Sequence, residues 1–182
     1  MGSRVSYNIH AQVVPDRNRL LKHLEKIKPA AVLVMDGLGL CKEIKAMLPD
    51  TTVISRIFPD EDIQNRATPE NWFEQRAPQA EGGIYQYTSN EAGFSPNLIE
   101  WHMRLLEMAI KHRIPLVIGN MSVGTPAPED WAAGKHLLGL LDQHRDLFIM
   151  GLHEYACAVI TSGFLGGYPD NAGVAPNLSG QG

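Results

Sequence analysis

The chain has 182 residues, of which 44% are hydrophobic and 20% are charged, and this composition is typical of one globular domain with a buried core. Its formal net charge of -4 provides no broad cationic field, so we expect no nucleic-acid partner. The longest apolar runs are far shorter than the roughly 20 residues that span a bilayer, so we also expect no membrane partner.

The first residues and the two cysteines narrow the class of protein further. The opening MGSRVSYNIHAQ contains no apolar run of secretory-signal length, so the cytoplasm is the default expectation for localisation. Cys41 and Cys157 are too few for a disulfide framework and lack the spacing of zinc ligands. We expect neither a bound metal nor a cofactor.

Taken in chain order, short β-branched segments alternate with helical segments, which is the pattern of βα units around a parallel sheet. The predicted strands cover residues 4–10, 30–36, 52–58, 83–89, 116–120 and 147–155. The predicted helices cover residues 15–27, 40–47, 69–75, 96–113 and 128–144. Two helix starts are fixed by their chemistry, because Thr68 and Ser95 are hydroxyl N-caps that each precede a proline at the first helical position.

Polar residues gather where the apolar strands end, and their distribution favours one of two architectures. An open doubly wound sheet concentrates polar groups at one switch point, whereas a closed barrel takes its site from the ends of many strands. The polar strand ends here include His10, Asp36, Arg56, Asn90, Asn120 and His153. The predicted fold class is therefore α/β, a TIM (β/α)8-type barrel.

The number of βα units predicts that this barrel is incomplete. Six units are present, whereas a complete barrel has eight units and about 250 residues. We expect a partial barrel domain over residues 1–166, followed by a Gly-, Pro- and Asn-rich loop or tail over residues 167–182. A gap between the sixth and first strands would expose sheet edges, so we expect self-association through those edges.

The segment YQYTSNEAG, residues 85–93, is an aromatic-rich strand that ends in Asn90-Glu91 before a capped helix. It resembles the fourth strand of the clan of retaining glycoside hydrolases with (β/α)8 barrels, in which an Asn-Glu pair ends that strand. The resemblance implies that Glu91 is the general acid/base and that Asn90 binds the sugar 2-hydroxyl. Such an acid must protonate the glycosidic oxygen and later deprotonate water.

The segment MGLHEYA, residues 150–156, resembles the sixth strand of the same clan, which ends in His-x-Tyr. His153 and Tyr155 have that spacing, and a period of two places both on one face of the strand while Glu154 faces the other way. The resemblance implies that Tyr155 supports the nucleophile and that His153 lines the sugar-binding subsite.

Three further strand ends complete the predicted substrate-binding residues. Arg56 resembles the arginine that lies near the nucleophile in the clan, and His10 and Asn120 end the first and fifth strands. The nucleophile of the clan is a second Glu that ends the seventh strand, and this sequence has no counterpart after its sixth strand. Retaining hydrolysis needs two carboxyl groups roughly 5–5.5 Å apart, so we expect this chain alone to lack the catalytic pair.

The sequence therefore predicts a glycoside hydrolase-like domain that binds or acts on O-glycosidic saccharides, and a glycosidase if the chain is part of a complete barrel. The alternative is a non-catalytic barrel module for carbohydrate binding or structural assembly. A third interpretation, an open-sheet nucleotide or phosphosugar protein, depends on DGLGL at residues 36–40. A GxG pair without its third glycine is common in strand-to-helix turns, so this motif is weak.

Overall fold

The computed structural model describes residues 6–57, 67–89, 95–121 and 128–152, in which strands and helices alternate. The strands are β1 (Ser6–His10), β2 (Ala31–Met35), β3 (Thr52–Arg56), β4 (Tyr85–Tyr87), β5 (Leu116–Met121) and β6 (Phe148–Leu152). The helices are α1 (Arg17–Ile27), α2 (Leu38–Met47), α3 (Pro69–Arg76), α4 (Pro96–His112), α5 (Pro128–Ala133) and α6 (Lys135–Gln143). Short 3-10 turns at Ala11–Val13 and Ala77–Ala80 follow β1 and α3.

The six strands form one parallel sheet in the order β1 to β6, so each strand pairs with the next one along the chain. The predicted parallel strands in sequential order are confirmed, and the order is not that of a doubly wound sheet, which reverses at a switch point. Because βαβ crossovers are right-handed, crossovers that all run in one direction place their helices on one face of the sheet. We call this the helix face and the opposite one the distal face.

Alternate strand residues pack against the helices in two hydrophobic groups. The group beneath α1 and α2 includes Ile9, Leu24, Val32, Val34, Ile44 and Val53. The group beneath α3, α4 and α6 includes Leu105, Leu106, Leu116, Ile118, Leu137 and Phe148. Fully burying one such side chain stabilises the fold by about 1.5–3 kcal/mol. This packing fixes the register, because a slip of one residue would turn each apolar set toward the distal face.

The two predicted hydroxyl caps are confirmed. Thr68 Oγ1 accepts a hydrogen bond from the Asn71 backbone N–H at 3.2 Å, and Ser95 Oγ accepts one from the Leu98 backbone N–H at 3.2 Å. Each cap satisfies a donor that the first helical turn leaves unpaired. The start of α4 is thereby fixed directly after the segment that follows β4.

One predicted helix differs from the structure. The helical pattern over residues 128–144 is divided into α5 and α6, and Gly134 lies between them as the N-cap of α6. Glycine in a helix interior costs about 1 kcal/mol relative to alanine, so the chain loses little helix stability by breaking at this residue.

Strands β1 and β6 are the two edges of the sheet within the part of the chain that the structure describes. No helix in this part is long and apolar enough to cross a bilayer. The predicted tail over residues 167–182, and the boundary before it, lie outside the described residues.

Candidate functional site

The distal face carries a row of side chains at the carboxyl ends of the first four strands. His10 pairs with Met35, and Met35 pairs with Arg56, in the register of β1 to β3. Their strand neighbours, such as Val34, pack against the helices, so these three side chains face away from the helices. His10 is exposed and Arg56 is half-buried. The two predicted site residues His10 and Arg56 therefore lie at the carboxyl ends of β1 and β3, on the distal face, with β2 between them.

Arg56 is stacked on an aromatic ring of the next strand. Its Cζ lies 5.0 Å from the centroid of the Tyr87 ring, inside the roughly 6 Å range of a cation–π contact. Tyr87 is only 8% exposed, so the guanidinium covers a ring that is otherwise packed within the sheet. Tyr85 lies on the same strand face, but its hydroxyl donates to the Asp146 carbonyl at 3.4 Å, at the amino edge of the sheet. Tyr87 alone of these two rings belongs to the row.

The end of β4 is tied to β5 by three hydrogen bonds. The Thr88 backbone N–H and hydroxyl both donate to the Val117 carbonyl, at 3.1 and 2.9 Å. The Ser89 hydroxyl donates to the Gly119 carbonyl at 2.9 Å. Both side chains are buried, and each such bond contributes about 0.5–1.5 kcal/mol to stability. The two residues before Asn90 therefore have fixed positions on the sheet.

A buried histidine holds the same strand end from the helix face. His102 of α4 is 0% exposed, and its Nε2 lies 3.3 Å from Thr88 Oγ1. The Thr88 hydroxyl donates to the Val117 carbonyl at 2.9 Å, an arrangement that fits an Nε2–H of the neutral ring as donor to Thr88. Burial lowers the pKa of His102 from 6.5 to about 4, and the backbone of Leu98 opposes this shift in part.

Sequence reasoning did not single out His102, although a signal was present. Its spacing from Leu98 and Leu105 places it on the apolar face of α4, where a polar ring needs a partner when it is buried. The partner, Thr88, is identified only by the packing of α4 on the sheet.

Asn120, a predicted substrate-binding residue, belongs to β5, and its side chain packs against Gly151 of β6. It is 1% exposed, has a φ of 51°, and its Nδ2 donates to the Val117 carbonyl at 3.3 Å. Its amide occupies the space that a Cβ on Gly151 would need. The register of β5 against β6 shifts between Gly119 and Met121, an irregularity of the kind that re-aims side chains. A role of Asn120 in substrate binding stays a prediction.

The DGLGL segment covers the turn after β2, at Asp36 and Gly37, and the first three residues of α2. Asp36 has a φ of 53°, in the left-handed region, and its backbone N–H donates to the Arg56 carbonyl at 2.9 Å. A Cβ on Gly37 would overlap Ala11, so close packing explains the first glycine. A cleft of about 330 Å³ opens beside this turn, at the carboxyl ends of β1 and β2.

Four predicted site residues lie outside the described residues, namely Asn90, Glu91, His153 and Tyr155. In the sequence the first two directly follow Ser89, and His153 directly follows β6. Their assignment stays a prediction.

Neither a cluster of metal ligands nor a known relative indicates the function of the site. Within the described residues, no group of three or more His, Cys, Asp or Glu side chains is arranged to hold a metal ion. Comparisons with protein-family models, with curated proteins and with solved structures found no match to this chain. Function is therefore inferred from the side chains at the carboxyl edge of the sheet.

Proposed function

We propose that the carboxyl edge of this sheet binds a saccharide and that the chain is a glycoside hydrolase-like domain with Glu91 as general acid/base. The observation that carries the proposal is the strand count. Asn90-Glu91 follow the fourth strand and His153-x-Tyr155 follow the sixth strand of a sheet whose order is sequential. Those are the strands on which the retaining clan has the same residues.

The barrel architecture is part of the same proposal. A parallel sheet with sequential strands and its crossovers in one direction is an arc of the arrangement that closes in a (β/α)8 barrel. In that fold the site lies at the carboxyl ends of the strands, where His10 and Arg56 are found. The six strands would then supply six of the eight barrel positions.

The Arg56–Tyr87 stack supports a saccharide ligand. A sugar ring presents C–H groups on its faces and hydroxyl groups around its rim. The guanidinium of Arg56 has five N–H donors in one plane, and Tyr87 holds that plane at a centroid distance of 5.0 Å. Planar donors held at a fixed position fit the hydroxyl groups around the rim of a sugar ring.

The fixed end of β4 supports a catalytic use of Glu91. A general acid is effective when the surrounding structure holds it close to its productive geometry. Thr88 and Ser89 are hydrogen-bonded to β5, and Thr88 also contacts His102, so the two residues before Asn90-Glu91 have a rigid support.

Saccharide binding is tested by calorimetric titration with gluco-, xylo- and manno-oligosaccharides. Replacing Arg56→Ala should weaken binding at least tenfold, because the donors of the stacked plane are lost. Arg104→Ala is the matched control, since Arg104 is an exposed arginine of α4 that pairs with Glu70 at 2.6 Å. Absence of binding to every sugar, or equal losses in the two variants, would contradict the proposal.

The catalytic part is tested by adding formate as an external carboxylate nucleophile. With formate present, formate attacks the anomeric carbon of a phenyl glycoside while Glu91 protonates the departing phenol oxygen, and the glycosyl formate then hydrolyses. Formate-dependent release of phenol should be lost in Glu91→Gln. The same variant should still cleave a dinitrophenyl glycoside, whose leaving group needs no acid. Saccharide binding without formate-dependent cleavage would favour the non-catalytic module instead.

A further inference from the structure

The cleft beside the DGLGL turn lies at the same edge of the sheet as the Arg56–Tyr87 stack. Its walls come from the segment that follows β1, from the start of α1 and from the start of α2. Asp36, in its wall, donates its backbone N–H to the Arg56 carbonyl at 2.9 Å, so the cleft borders the end of β3. Its volume of about 330 Å³ is at the lower end of the range for small-molecule sites, about 300–1,000 Å³.

Three polar side chains line this cleft. The Gln12 amide donates to Asp36 Oδ2 at 3.4 Å, a long bond that leaves the amide oxygen as an acceptor. Arg17 donates from Nε and Nη2 to the carboxylate of Glu43, at 3.1 and 2.8 Å. A guanidinium has five N–H donors, and this pair uses two of them. Donors and acceptors are thus interleaved around a small volume.

The charges around the cleft argue against an anionic ligand. The positive charge of Arg17 is paired with Glu43, and Asp36 adds a carboxylate to the wall. A phosphate in the cleft would face the carboxylates of Asp36 and Glu43 at close range. The same charges suit a neutral ring with many hydroxyl groups, each of which both donates and accepts.

Gly39, the second residue of α2, keeps the cleft open. A Cβ on Gly39 would meet only Arg17 Nη2, at 3.8 Å, which is ordinary contact. Neither packing nor helix formation requires glycine here, since glycine is a poor helix former. A larger side chain at this position would instead occupy the cleft, which Gly39 lines together with Arg17.

We infer that this cleft is a subsite for a further sugar unit of the saccharide held at the Arg56–Tyr87 stack. The inference rests on the proposed function and extends it from one sugar ring to an oligosaccharide. It assigns Gln12, Arg17 and Asp36 as the groups that bind the outer ring. The DGLGL turn is then part of a saccharide site and not a phosphate loop.

The experiment titrates the chain with the same gluco-, xylo- and manno-oligosaccharides at lengths of one to six units. Gly39→Leu should weaken binding of the longer members at least tenfold and leave the shortest binding member unchanged. The matched control is Gly139→Leu, because a Cβ on Gly139 of α6 has open space around it. Gln12→Ala, on the exposed 3-10 turn after β1, gives the same length-dependent loss and serves if Gly39→Leu does not fold.

The outcomes separate the two proposals. If Arg56→Ala weakens binding at every length but Gly39→Leu and Gln12→Ala change none, the saccharide site stands and the subsite is wrong. If no saccharide of any length binds, both are wrong. Amide NMR shifts of Gly37 and Gly39 should move with the longer saccharides and stay unmoved by inorganic phosphate. Phosphate-induced shifts at these two residues would overturn the inference in favour of an anion site.

Discussion

Acidification should destabilise the fold through His102. The ring is 0% exposed, and burial lowers its pKa from 6.5 to about 4. As the pH falls below 6.5, the unfolded chain takes up a proton that the folded chain does not accept until about pH 4. The stability contributed by the neutral ring is thus present above pH 6.5 and is lost as the pH falls toward 4.

The magnitude follows from the size of the shift. One pKa unit corresponds to about 1.36 kcal/mol, so a shift of this size makes the free energy of unfolding fall by about 3 kcal/mol between pH 6.5 and pH 4. The free energy of unfolding of a typical domain is about 5–15 kcal/mol. A loss of this size therefore shifts the urea concentration at the midpoint of unfolding by more than the error of the measurement.

Urea denaturation at several pH values from 7 to 4.5 measures this loss. His102→Gln keeps an N–H donor for Thr88 but does not titrate, so its stability should depend less steeply on pH by about one proton. His136→Gln, on an exposed residue of α6, is the matched control and should follow the unmodified chain. Equal pH slopes for His102→Gln and the unmodified chain would contradict a buried neutral ring at this position.

Three substitutions and one alkylating reagent test other parts of the structure. Gly151→Ala should lower the free energy of unfolding by about 1–3 kcal/mol in chemical denaturation, because its methyl group would overlap the Asn120 amide, whereas Gly139→Ala should raise it by about 0.5–1 kcal/mol. Ser95→Ala should cost about 1 kcal/mol in the same assay, since it removes the N-cap of α4, and an unchanged midpoint would contradict the cap. Burial raises the pKa of Cys41 to about 11. Alkylation of this thiol at pH 8, measured by peptide mapping, should therefore be slow in the native chain and fast in urea. Rapid labelling of the native chain would contradict the burial of Cys41.

The sheet could be predicted from the sequence because its signals are local. Continuous apolar runs such as residues 31–35 and 116–118 indicate parallel strands covered by helices, and hydroxyl-Pro pairs mark helix starts. The break at Gly134 was not predicted, because the helical period continues on both sides of it. A local pattern gives the type of an element more reliably than its continuity.

The candidate site was predicted less completely, because it depends on contacts between distant residues. His10 and Arg56 were found by their positions at strand ends, which is again a local property. The pairing of His102 with Thr88 requires α4 to lie over β4, and the burial of Asn120 depends on a register shift against β6. Neither arrangement leaves a periodic trace in the sequence.

The sequential strand order also bears on how the chain is made. Each of the strands β2 to β6 pairs with the strand that emerges from the ribosome just before it, as Ala31 does with Ser6 and Thr52 does with Ala31. Synthesis proceeds at about 5–20 residues per second, so a new βα unit is complete within seconds. The nascent chain can then add each unit to the newest edge of the growing sheet.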